Sequence, residues 1–237
     1  MKLKLTFFFL ICYTSIRAQP FVFPQLPDQG KSVAALVPKN WKVIDSISGD
    51  LNNDNIQDLA LVLEFYRPVK ENRAYGDNET ELITEVQKPR ILAIYFKRSA
   101  GGAFRLVTQN NNFMLRSEEG GAMGDPLRPM LIEKNQLLLS FEGGANWRWK
   151  LNYSFKYLDK DWQLVRANNL AYHSGSGEMN DKQYDFINKT RKVITGSMGD
   201  SLVKDNIFEQ PLTIKTLRTF NSFKKPWTWE IAPDDFL

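Results

Sequence analysis

Trp147-Arg148-Trp149-Lys150-Leu151-Asn152-Tyr153-Ser154-Phe155-Lys156-Tyr157 decides the architecture. Aromatic and aliphatic residues occupy every odd position and polar residues every even one. Successive side chains of a strand point to opposite faces, so this segment has one apolar and one wet face, as antiparallel strands do. Asp159-Lys160 offers a two-residue turn, and Trp162 to Val165 runs back. Upstream, Leu131 to Glu133 and Gln136 to Phe141 flank Lys134-Asn135 as a second hairpin. Ile91 to Lys97 and Phe104 to Val107 flank Ser99-Ala100-Gly101-Gly102 as a third. Trp41 to Ile47 and the apolar run Leu59 to Glu64 read as the first strands. Tyr184 to Asn188, Lys192 to Thr195 and Leu212 to Leu217 supply later ones. No long stretch repeats with a 3.6-residue period. The expected fold is mainly β: a single antiparallel β-rich domain, meander- or sandwich-like, over residues 19–237. Pro20, Pro24, Pro27 and Pro38 discourage regular structure in the lead-in. Arg67 to Glu85 reads as an exposed polar loop, with Asp77-Asn78-Glu79 solvated.

Between the first two strands lies Gly49-Asp50-Leu51-Asn52-Asn53-Asp54-Asn55-Ile56-Gln57-Asp58. Oxygen side chains fall at Asp50, Asn52 and Asp54, Ile56 offers a carbonyl, and Asp58 adds another carboxylate. Ca²⁺ takes about six to eight oxygen ligands, and a coiled loop with this spacing can converge them on one point. An EF-hand is excluded: position twelve counted from Asp50 is Leu61 where a Glu is required, and the flanks are extended. The segment resembles the Ca²⁺ loop of FG-GAP/VCBS-type repeats in extracellular β-rich proteins, Asp-x-Asp/Asn-x-Asp-Gly-x-x-Asp feeding a strand. That resemblance implies ligation by the side chains of Asp50, Asn52, Asp54 and Asp58 and by the Ile56 carbonyl, with Ca²⁺ as cofactor. Asn55 replaces the sharp-turn glycine, and Asn tolerates the left-handed region better than most residues. The competing reading is an Asx-rich turn closed by side-chain to backbone hydrogen bonds without an ion. A propeller would need several copies at a fixed period, and the motif occurs once.

The N-terminus bears on compartment. Lys2 and Lys4, the apolar run Leu5 to Tyr13, and Ile16-Arg17-Ala18 compose a signal peptide over residues 1–18, cleaved before Gln19. The apolar run is shorter than the ~20 residues that span a bilayer. Lipidation at Cys12 is disfavoured because Ile11 stands where a small residue belongs. Cleavage leaves 219 residues, with basic residues falling from 31 to 28 against 27 acidic ones. The mature net charge is then about +1, which points away from nucleic acid. Cys12 leaves as well, so stability must come from a packed core without disulfides. The expected location is periplasmic or secreted, with no transmembrane segment after cleavage.

Two glycine motifs stand out: Gly120-Gly121-Ala122-Met123-Gly124-Asp125-Pro126 and Gly143-Gly144-Ala145-Asn146-Trp147-Arg148-Trp149. Paired glycines permit positive φ and close backbone approach. Neither fits a phosphate loop, which requires strand–GxxxxGK[ST]–helix. GGxxGDP followed by GGxxWRW, with a single GDLNxD-type loop before the first core strand, resembles a group of uncharacterised exported bacterial proteins over about residues 45–200. That likeness implies a shared fold and carries no activity.

Catalytic constellations are sparse. His173, the only histidine, lies near Ser174 and Ser176, outside a strand–elbow–helix context and with no nameable third partner. It reads as an exposed loop residue. Glu118, Glu119 and Asp125 read as a solvated loop. Trp147 and Trp149 share a face with Leu151 and Phe155 and read as core, although two indoles in a row could stack on a sugar or a peptide aromatic. Trp227-Thr228-Trp229 is the better surface candidate, with packing on the sheet edge expected. The sequence therefore points to a non-enzymatic calcium-binding module of the envelope or exterior, with a protein or glycan ligand. The alternative is a carboxylate-based hydrolase using Asp125, Glu118 or Glu142.

Overall fold

The computed structural model describes residues 21–74, 82–199, 202–233 and 235–237. The signal segment and Asp77-Asn78-Glu79 lie outside them. The first half of the chain comprises β1 (Gln29–Gly30), β2 (Trp41–Gly49), β3 (Asp58–Phe65), β4 (Val69–Ala74), β5 (Leu82–Gln87), β6 (Arg90–Phe96) and β7 (Phe104–Asn110). The second comprises β8 (Leu127–Glu133), β9 (Gln136–Gly144), β10 (Trp147–Leu158), β11 (Asp161–His173), β12 (Glu178–Asp185), β13 (Thr190–Ser197) and β14 (Asn206–Pro211), then β15 (Glu230–Ala232) and β16 (Asp235–Phe236). One sheet runs β1-β7-β6-β3-β2 and another runs β14-β13-β12-β11-β10-β9-β8; β4-β5 and β15-β16 form separate two-stranded ladders. Every ladder is antiparallel, so the mainly-β expectation holds.

Alternation explains how the two large sheets meet. Leu151, Tyr153 and Phe155 of β10 pair with Phe141, Leu139 and Leu137 of β9, and all six are fully buried. They share one core with Ala60 and Val62 of β3 and Leu92 and Ile94 of β6. The other residues of the same strands, Leu59, Leu61, Leu63, Ile91, Ala93 and Tyr95, belong to a second core on the far side. A sheet apolar on both faces needs a cover there. The proline-punctuated lead-in supplies it: Leu26 and Leu36 are buried in that second core, and Phe21 and Phe23 pack on it. Gln109 of β7 fixes the cover by donating its Nε2–H to the Pro24 carbonyl at 2.9 Å and accepting the Leu26 N–H at 3.0 Å.

Hairpin turns follow local chemistry. Lys134 and Asn135 (φ 50° and 59°), and Asp159 and Lys160 (φ 50° and 68°), adopt the paired left-handed conformations of a tight two-residue turn.

Three expectations change. Arg67 to Glu85 is not a plain exposed loop: it contains β4 and the first part of β5, with Glu71 and Arg73 buried. Those charges mimic a solvated segment because their partners lie elsewhere in the sequence. Leu212 to Leu217 forms no strand. The ladder stops at Pro211, which lacks an N–H to continue it, and the chain turns inward to cover the core with Leu212, Phe220 and Phe223. The strand read over Tyr184 to Asn188 instead begins at Glu178 and ends at Asp185.

Candidate metal site

The loop between β2 and β3 is closed by its own oxygens. Asp50 Oδ1 accepts the N–H groups of Asn53 (2.7 Å) and Asp54 (3.2 Å), and Oδ2 accepts that of Asn55 (2.9 Å). Asn52 Oδ1 accepts the Asp54 N–H, Asp54 Oδ1 accepts the Ile56 N–H, and the Asn52 amide donates to Asp54 Oδ2. Asn53 and Asn55 sit at φ 65° and 62°, so Asn55 adopts the left-handed turn expected of it. The Asn135 amide, from the β8–β9 turn, donates to the Asp50 carbonyl at 2.9 Å and ties the loop to the opposite sheet.

Asp58 is the unusual member. It is fully buried, accepting the Leu51 N–H at 3.1 Å and the Lys97 N–H at 3.0 Å. Its carboxyl is raised to about 6: burial is the main cause, the charges of Asp54 and Asp50 add to it, and the two N–H groups offset part of it. Among the described residues no Lys or Arg forms an ion pair with Asp50, Asp54 or Asp58. A buried carboxylate is normally paired or bound to metal, and an unneutralised all-oxygen donor set suits a hard divalent cation. As the loop stands, no three carboxylate or imidazole side chains among the described residues gather into a ready-made metal centre. The Asx-turn hydrogen bonds are therefore present in this structure, and the donor set fits calcium chemically.

The two glycine motifs pack on each other. The Gly144 N–H donates to the Gly120 carbonyl at 2.9 Å, and the Glu142 N–H to the Pro126 carbonyl at 2.9 Å. A Cβ on Gly143 would stand 2.3 Å from the Trp149 ring, and Gly144 has φ 109°. Trp149 lies edge-on to Trp227 at 4.8 Å, so these two indoles are packing partners, with Trp227 and Trp229 docked on the main core. Trp147 differs from expectation: at the tip of β10 it passes beyond the core and is 52 % exposed.

The Glu118–Asp125 segment is likewise not simply solvated. Arg90, fully buried, donates to Glu64 (2.8 Å), to Asp125 (2.9 Å) and to the Leu115 carbonyl. Arg116 forks onto Glu71 at 2.8 and 3.1 Å and reaches the carbonyls of Met114, Arg90 and Asn111. Arg73 pairs with Glu119 at 2.9 Å, and Lys225 reaches Glu119 at 2.8 Å. Glu118 keeps the exposed position expected of it, and Asp125 is exposed as well, although it is paired with Arg90; Glu119 is drawn in. This clamp escaped sequence reading because its members come from five distant segments. The one local signal was the period-two pattern of Glu71 and Arg73 within Val69–Ala74.

Its chemistry also bears on acid–base roles. Burial opposes ionisation of Asp125, and the Arg90 guanidinium overrides it, holding the carboxyl below the usual range. Glu142 is held low against its burial by Lys150 and then Arg128. Both are ionised near neutrality, whereas glycoside hydrolysis needs one raised carboxyl that reaches substrate. Asp58 is raised but sealed from solvent. His173 Nδ1 accepts the Ser176 N–H at 3.0 Å, and its ring lies 5.3 Å from that of Trp147. No carboxylate orients it among the described residues. No helix among the described residues is long and apolar enough to cross a membrane. No family model, curated protein or solved structure matches the chain.

Proposed function

We propose that the protein is an exported, non-enzymatic binding module whose sandwich is locked by one calcium ion in the β2–β3 loop. The observation that carries this reading is the buried Asp58 carboxylate beside Asp50 and Asp54, with no cationic side chain among the described residues paired to any of them. Asp50, Asn52, Asp54 and Asp58 hold the ion through side chains and Ile56 through its carbonyl, as the FG-GAP/VCBS-like spacing implies. Bound calcium supplies positive charge to a loop that otherwise concentrates three carboxylates; it takes no part in bond making. The residues themselves fix the hairpin turn and, through Asn135, the approach of the second sheet.

Melting of the mature protein with and without chelator tests the proposal. With Kd of about 10⁻⁵–10⁻⁴ M and external Ca²⁺ of about 1 mM, mass action gives roughly 1.4–2.7 kcal/mol. Chelation then lowers the melting temperature by several degrees, and Asp54→Ala abolishes the sensitivity. A wild-type curve indifferent to chelator leaves only the ion-free turn. A mature N-terminus at Gln19, read by mass spectrometry of protein recovered outside the cytoplasm, checks the export half.

A further inference from the structure

The exposed Trp147 indole faces a setting the calcium loop does not explain. It borders a shallow cavity of about 490 Å³ with Glu178, Asn180, Thr195, Val203, Lys204 and Asn206. Strand pairing aligns Asn180 with Thr195 and Thr195 with Asn206, so an amide, a hydroxyl and a second amide form one row across β12, β13 and β14. Asn180 Oδ1 is buried there with no hydrogen-bond partner among the described residues. His173 lies against the indole at 5.3 Å and 60°, bracing a side chain that contributes little to the core.

The lining selects its ligand by chemistry. Glu178 and Lys204 balance in charge, whereas a phosphate or nucleic acid needs a surplus of Lys and Arg. An open indole offers an apolar platform, and the amide–hydroxyl row offers both donors and acceptors. A pyranose ring matches both features, having an apolar C–H face and a rim of hydroxyls. Ligand sites of this type combine an aromatic wall with a few convergent polar groups.

We propose that this corner of the seven-stranded sheet binds a neutral oligosaccharide, one pyranose ring stacking on Trp147 and its hydroxyls bonding to Asn180, Thr195 and Asn206. The proposal rests on the reading of the chain as a binding module and names its ligand class.

The test is titration of the mature, calcium-loaded protein with cellohexaose, laminarihexaose, maltohexaose and mannohexaose, followed by tryptophan fluorescence and calorimetry. At least one sugar is expected to bind saturably at millimolar concentration or below. Trp147→Ala should weaken that binding by at least about tenfold with an unchanged melting temperature, since the indole is already half in solvent. Asn180→Ala should weaken it as well, and Leu131→Ala, exposed on β8, should not. Failure of all four sugars to bind overturns the proposal, as does binding that Trp147→Ala leaves intact. Sedimentation showing that Trp147→Ala instead abolishes self-association also overturns it and reassigns the patch to a contact between copies. Chelator-insensitive melting with sugar binding retained would remove the calcium ion and leave this site standing, because the two lie in different sheets.

Discussion

Asp58 concentrates the consequences of a single buried side chain. Its carboxyl is raised from 3.8 to about 6 in the folded protein. A raised pKa means the folded state favours the protonated form. The associated stability is fully present below the unfolded value and is lost as pH rises through about 6. Carboxylates held low, such as Asp125, Glu119 and Glu142, act oppositely and only at more acid pH. Chelated protein should therefore gain stability between pH 7 and pH 5, read as the urea midpoint. Saturating calcium should flatten or reverse that slope by favouring the ionised form. A flat profile in chelator would show that Asp58 is not the strained group its burial makes it. The neighbouring Asn55 illustrates a smaller point, since its left-handed turn tolerates Asn where most side chains would cost energy.

Among elements, the β4–β5 ladder depends on the buried arginines. Arg116 directs its guanidinium N–H groups at Glu71 and three carbonyls. Arg116→Ala leaves Glu71 buried and uncompensated and should cost about 3–5 kcal/mol. Arg116→Lys should recover little, because an ammonium cannot replace the fork. Removing both charges as Arg116→Met with Glu71→Leu should restore much of the loss in urea unfolding. If the single substitution costs under about 1 kcal/mol, the clamp is a surface feature and contributes little.

The same elements show what sequence could reveal. Alternation in Trp147 to Tyr157 located β10, and the turns at Lys134-Asn135 and Asp159-Lys160 fixed both hairpins around it. Those signals are local, arising from a two-residue period and left-handed turn residues. The clamp was illegible because a buried Arg looks like a surface Arg until its partner arrives from far along the chain. Trp147 was misplaced for a related reason. Period two gives the face of a residue but not how far the opposing sheet extends over it. Leu212 to Leu217 showed apolar residues without the ladder partner that would have made them a strand. The spacing of the β2–β3 loop was legible, and so was the place of Asn55 within it. The burial of Asp58 was not, because only packing on Lys97 and Leu51 produces it.

Across the whole molecule, the sheets differ in how their strands are joined. The seven-stranded sheet is an uninterrupted meander, each ladder linking neighbours in sequence, whereas the five-stranded sheet must bring β1 to β7 and β3 to β6. Loop-closure entropy penalises distant pairings before any contact rewards them, so topology sets a temporal order. The meander should zip first from the Asp159-Lys160 turn, and the lead-in should settle last over the finished sheet. Lys160→Gly, which relieves a left-handed lysine, should accelerate refolding in stopped-flow measurements and leave the unfolding rate nearly unchanged. Gln109→Ala, which frees the lead-in, should do the reverse, hastening unfolding with little effect on refolding. The chain would then pass through a stage with one sheet formed and the apolar back of the other still bare. During that interval its exposure to self-association is greatest, and its yield on refolding should fall steeply with concentration.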